Sequence, residues 1–228
     1  MTIAFQSTRE LGVTHGVKIL VYGGPGTGKT TLCKTTCSTP LIISAESGLL
    51  SLRDQDIPVW QVKSMNDIQQ ILDWLYGSPD SSQFDWVCID SLSEIAETVL
   101  AYEKSQTKDG RKAYGEMSDQ MMMLTKAFRD LPGKNVYVSA KMAREKDDLA
   151  GTMLYAPSMP GRSVGQQLPY LFDEVLAARI EKDQEQNDFH VLQCRGDFQY
   201  IAKDRSGALE LWEAPDLCAI ANKITGRA

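Results

Sequence analysis

The chain has 228 residues, 24 Lys+Arg against 30 Asp+Glu and 43% hydrophobic residues, the proportions of one globular domain with a full core. A formal charge of -6 argues against a surface coated all round in nucleic acid, although a local basic loop can still bind phosphates. No long apolar run occurs in MTIAFQSTRELG or elsewhere, so neither a signal peptide nor a membrane span is expected, and the reading is a cytoplasmic protein.

In chain order, Val17 to Tyr22 is a β-rich run ending at glycines, Lys29 to Cys37 predicts a helix, and Leu41 to Ala45 predicts a second strand. Ser64 with Asp67 is a capping pair for a helix carrying Ile68, Ile71, Leu72 and Leu75, which Gly77-Ser78-Pro79 stops. Trp86 to Asp90 predicts the third strand. Ser91 and Glu94 then cap a helix with Leu92, Ile95, Val99 and Tyr102, and Met117, Met121, Leu124, Phe128 and Leu131 mark another. Val136 to Val138 predicts a fourth strand. From Lys141 to Pro169 the chain is polar, carries Gly and Pro and shows little periodicity, which predicts a mobile loop. Glu174 to Ile180, Phe189 to Cys194 and Gln199 to Ala202 predict a β-meander, and Pro215 opens a last helix to Ile224. The expectation is a single α/β domain over 1–228: a mostly parallel sheet flanked by helices, extended by the meander, with ligands at the carboxyl ends of the strands.

Five cysteines, Cys33, Cys37, Cys88, Cys194 and Cys218, form no CxxC pair, and His15 and His190 are the only histidines. A zinc cage lacks ligands, and buried thiols in a reducing compartment are expected.

Gly23-Gly24-Pro25-Gly26-Thr27-Gly28-Lys29-Thr30 satisfies GxxxxGK[ST] between a strand and a helix, with Thr31 following. The glycines allow the loop to wrap phosphates with its N–H groups pointing inward, where the helix start adds partial positive charge. Lys29 is expected on the β- and γ-phosphates and the Thr30 hydroxyl on Mg²⁺, so ATP and Mg²⁺ are the expected ligands. Asp90, at the end of an apolar strand, is the second expected Mg²⁺ residue, the alternative being a helix cap, a role Ser91 can fill. Glu46 closes the second strand, where a carboxylate can polarise a water in line with the leaving phosphate; otherwise it is a solvated loop acid.

IISAESGL after the second strand, CIDSLSE at the third and KDRSG late in the chain together resemble the RecA-like core ATPases, meaning recombinases, their RadA relatives and ring helicases. Size and motif order look most like the minimal phage recombination proteins of the fourth Sak family, single-strand annealing proteins. The resemblance implies a DNA-stimulated ATPase of a phage-infected bacterial cytoplasm. It also implies a ring- or filament-forming homo-oligomer that works beside a single-strand DNA-binding protein. Glu46 takes the catalytic glutamate's place. Lys203 and Arg205 match a Lys-x-Arg pair that reaches the γ-phosphate of the neighbouring subunit, and two cations at that spacing on an extended segment point to one side. The alternative is a solvated strand end. RecA recombinases carry a γ-phosphate-sensing glutamine after the fourth strand, where this chain has Ser139 and Lys141.

Single-stranded DNA is held by cationic grooves with planar groups for stacking. The candidates are Lys141, Arg144, Lys146 and Arg162 with Tyr155, diluted by Glu145, Asp147 and Asp148, and a second segment, Lys104 to Tyr114, with Arg111, Lys112 and a mobile Gly110. The rival readings are a small-molecule or nucleotide kinase, which needs an acceptor pocket and an arginine-rich lid, and an AAA+ remodelling ATPase, which needs a helical lid.

Overall fold

The computed structural model describes residues 15–46, 48–146 and 151–227, together with Phe5, Ser7 and Thr8. Asp147, Asp148 and the Arg162 side chain lie outside the described part. Among the described residues ten strands form one sheet, in the order β10-β8-β7-β1-β5-β4-β2-β3, with β6 paired to β5 and β9 to β7. The parallel core is β1 (Lys18–Gly23), β2 (Leu41–Ser44), β3 (Val59–Gln61), β4 (Trp86–Asp90), β5 (Asn135–Lys146) and β7 (Glu174–Lys182). The antiparallel additions are β6 (Met153–Ser158), β8 (Asp188–Gln193), β9 (Lys203–Asp204) and β10 (Trp212–Glu213). In this order β5 separates the glycine-loop strand β1 from the acid-bearing strand β4.

The buried runs of β1, β2 and β4 are apolar on both sides because both sheet faces are covered. On one face α2 (Met65–Gly77), α3 (Leu92–Gln106), α4 (Gly110–Arg129) and α5 (Arg162–Leu171) enclose Leu20, Tyr22, Ile89, Val138 and Ala177. On the other, α1 (Lys29–Leu32), the 3-10 turn Cys33–Thr35 and α6 (Leu217–Thr225) cover Ile19, Val21, Cys88, Leu176 and Leu192. The caps work as read. Ser64 accepts from the Asp67 amide at 3.3 Å and Ser91 from the Glu94 amide at 3.4 Å, each filling one orphan N–H of its helix.

Several expectations need correction. The stretch from Lys141 to Pro169 is not a structureless loop: β5 continues to Lys146 and returns as β6, with Lys141 opposite Ser158 and Lys146 opposite Met153, and α5 follows. Its signal is hidden because Lys141, Arg144 and Lys146 are exposed and the residues between them only half-buried, so no apolar stripe marks the strand. Gly110 is not a hinge; it opens α4, with Asp109 accepting from the Arg111 and Lys112 amides. The late strand lies at Lys203–Asp204 rather than Gln199 to Ala202, where only Tyr200 bridges Tyr155. The helix after the glycine loop is short, giving way at Cys33 to a 3-10 turn in which the Thr35 and Thr36 hydroxyls bond back to the Leu32 and Cys33 carbonyls.

Cys37 is not a free thiol either. It is joined to Cys218 on α6 across 181 residues, while Cys33, Cys88 and Cys194 are free and buried. No local pattern announces this pair: it arises because α6 seats on the 3-10 turn, where the Leu217 amide donates to Thr35 Oγ1 at 2.9 Å. No helix among the described residues is long and apolar enough to cross a membrane.

Candidate nucleotide site

The glycine loop leaves β1 at its carboxyl edge and lines a cavity of about 740 Å³ with Glu46, Asp90, Lys141 and Met142. Two glycines are needed for definite reasons. A Cβ at Gly23 would stand 2.7 Å from the Ala178 carbonyl oxygen, and Gly28 holds a φ of +85°, which L side chains rarely adopt. Thr27 Oγ1 donates to the Gly24 carbonyl at 2.9 Å and so closes the loop on itself. Lys29 folds back, its Nζ donating to the Gly23 and Gly24 carbonyls at 2.9 and 2.8 Å. Burial lowers its pKa, against the opposing pull of Asp90 and Glu46, so an arriving polyphosphate would replace two neutral acceptors with anionic ones.

Thr30 and Asp90 meet as expected: Thr30 Oγ1 donates to Asp90 Oδ2 at 2.7 Å. The other carboxylate oxygen accepts from Ser139 Oγ at 2.5 Å, and Asp90 is 2% exposed. A hydroxyl and an oriented, buried carboxylate form a hard oxygen pair suited to Mg²⁺, which takes few protein ligands and keeps several waters. Thr30 would hold the ion and Asp90 would orient its waters, and the ion would neutralise phosphate charge. Glu46 sits beside them, its Oε1 accepting from Ser91 Oγ at 2.6 Å.

Sequence reasoning missed one support, Tyr137, and left the roles of Ser139 and Lys141 open. Tyr137, fully buried, donates to the Lys29 carbonyl at 2.7 Å and pins the start of α1. Ser139 aims Asp90, as above. Lys141, grouped with the DNA candidates, instead lines the nucleotide cavity and pairs with Glu94, whose carboxylate raises its pKa. Only the strand order, which sets β5 between β1 and β4, reveals these roles.

Lys203 and Arg205 do point to one side, but not toward this cavity. Lys203 donates to the Pro169 carbonyl and Arg205 to Asp173, both at 2.6 Å. Lys203 pairs with Val175, which lies opposite Leu20, so it stands roughly 10 Å back from the end of β1 at about 3.3 Å per residue. Arg144 and Lys146 are exposed on the hairpin, Arg162 opens α5, and Arg111 and Lys112 are exposed on the first turn of α4. Both basic segments border α5: a Cβ at Gly161 would stand 3.5 Å from the Tyr114 ring, and one at Gly165 would stand 2.9 Å from the Pro157 carbonyl oxygen of the hairpin.

The family model described as AAA domain matches residues 15–206. No curated protein matches the chain. Among solved structures, a KaiC-like protein from the hyperthermophilic archaeon Pyrococcus horikoshii OT3 superposes with a TM-score of 0.43 and 15% identity, over 78% of this chain and 77% of that one.

Proposed function

The chain belongs to the AAA domain family and is a P-loop ATPase, and from that premise we propose that it is a phage-type recombination protein. In this reading it hydrolyses ATP while acting on single-stranded DNA, in annealing or strand exchange. The observation that carries the reading is a groove of about 990 Å³ between the β5–β6 hairpin and α5, with Lys146 and Tyr170 on its walls. Tyr170 is 81% exposed, so its ring is open to a base while Lys146, beside Glu145 on the same wall and next to the exposed Arg144, reaches the backbone. The groove and the nucleotide cavity share a wall element, because β5 runs from Lys141 in one to Lys146 in the other.

In the chemistry proposed, Glu46 polarises the attacking water, Lys29 and the loop amides hold the phosphates, and Thr30 with Asp90 serves the Mg²⁺. Lys203 and Arg205 belong to a neighbour's site in a homo-oligomeric ring or filament, which their distance from the cavity of their own chain supports. A remodelling ATPase would need a helical lid after the core, whereas the described residues after β7 form short strands and α6.

The test is phosphate release from labelled ATP with and without a single-stranded oligonucleotide. Stimulation is expected, and Arg144→Ala with Lys146→Ala should lower the log–log salt slope of oligonucleotide binding by about 1.4, at roughly 0.7 per lost phosphate contact. An oligonucleotide without effect on turnover, or phosphate transferred to a metabolite instead of water, would overturn the recombination reading.

A further inference from the structure

The strand order gives the bound nucleotide a direction. On one side of β1 lie β5, β4 and β2, which bring Asp90 and Glu46 to the cavity; on the other lie β7 and β8. A triphosphate whose terminal phosphate faces the two acids must extend its nucleoside toward the β7–β8 hairpin. That hairpin does not stop at the glycine loop. Ala178 stands level with Gly23, the last residue of β1, and β7 runs on to Lys182 before β8 returns from Asp188.

One face of the overhang turns toward the loop. Ala178 pairs with Leu192 and Ile180 with His190, so these four side chains share a face, the one covered further back by Leu32 and Cys33 of the α1 region. At the overhang the face is open among the described residues. Ile180 is 45% exposed and His190 is exposed, yet the imidazole lies against the glycine loop: a Cβ at Gly28 would stand 3.6 Å from His190 Nδ1. An exposed β-branched side chain directly across from an exposed planar ring offers a surface that suits a flat, weakly polar partner.

We infer that His190 and Ile180 form the platform on which the base of the bound nucleoside triphosphate lies, an inference that rests on the nucleotide reading of the glycine loop. The imidazole stacks on the ring and Ile180 packs its edge. Stacking uses the face of the ring, which every base offers, so the platform selects for a base over none rather than for one base over another.

The test compares ATP with inorganic tripolyphosphate, which has the phosphates and no base, by calorimetric titration in the presence of Mg²⁺. The parent should bind ATP more tightly. His190→Ala with Ile180→Ser should weaken ATP about tenfold, in the range of a lost stacking contact, and leave tripolyphosphate unchanged within about twofold. His190→Phe should keep ATP affinity within about threefold of the parent, because a ring is retained. ATP affinity unmoved in the double variant, or ATP and tripolyphosphate weakened alike, would overturn the platform while leaving the nucleotide site standing. A parent chain that binds neither ligand would overturn the nucleotide reading itself. Both positions are exposed, so the variants should keep the parent's thermal melt.

Discussion

Glu174 opens β7 and is fully buried, facing Asp204 across the β7–β9 pair. Burial, then the charge of Asp204, raises its carboxyl from 4.5 to about 7, while the Ser206 amide, donating to Oε1 at 3.2 Å, favours the anion. In the unfolded chain the group ionises near its ordinary value. Between about 4.5 and 7 the folded chain therefore keeps a proton that the unfolded chain has released, and stability falls as pH rises through that window. Asp204 is shifted downward, so its contribution is lost only in more acidic solution and leaves this window to Glu174. Tenfold in protonation is about 1.4 kcal/mol, which bounds the effect at roughly 3 kcal/mol, and because the unfolded group is already largely ionised at pH 5 the interval from pH 5 to pH 8 captures about 2 kcal/mol of it. Glu174→Gln keeps the shape and the neutral state. Urea melts at pH 5 and pH 8 should show the parent losing about 2 kcal/mol between them and the variant losing little. Parallel pH profiles for the two proteins would refute the reasoning.

Two further predictions concern the site and its frame. Glu46→Gln keeps an acceptor for Ser91, so phosphate release should fall by about 10² to 10⁴ while ATP affinity, measured by titration, stays near the parent's. Cys218→Ser removes the link that closes 181 residues of chain and should cost about 2 to 4 kcal/mol in non-reducing urea melts, a difference that should vanish when reductant is added to both proteins.

Much of the site was legible because its residues are consecutive or sit at strand ends. The glycine loop is one unbroken motif, and Asp90 and Glu46 each follow an apolar run that could only be a buried strand. What escaped were elements whose burial is partial or whose partners are distant in sequence. Helix α5 carries Pro169, Gly161 and Gly165 in or beside it, residues that read as loop, although Val164, Leu168 and Phe172 are fully buried at helical spacing. Gly165 is there for packing: a Cβ would stand 2.9 Å from the Pro157 carbonyl oxygen on β6. The hairpin escaped for the converse reason, its charges facing solvent along a strand that buries little. Ser139 and Lys141 were visible as residues, but their different partners depend on which strands flank β5.

That placement makes β5 the organising strand of the site. Tyr137, Ser139 and Lys141 alternate along it and so share one face. They bond in turn to the backbone at the start of α1, to the buried carboxylate of Asp90, and to Glu94 at the cavity wall. Two residues beyond Lys141 the same strand has left the sheet core and become the hairpin that borders the groove. β4 flanks β5 as far as Val138 and β1 as far as Lys141, and from Met142 to Lys146 the strand pairs with β6 alone. Where the sequence predicts a flexible segment from Lys141 onward, one continuous strand joins the wall of the nucleotide cavity to the hairpin.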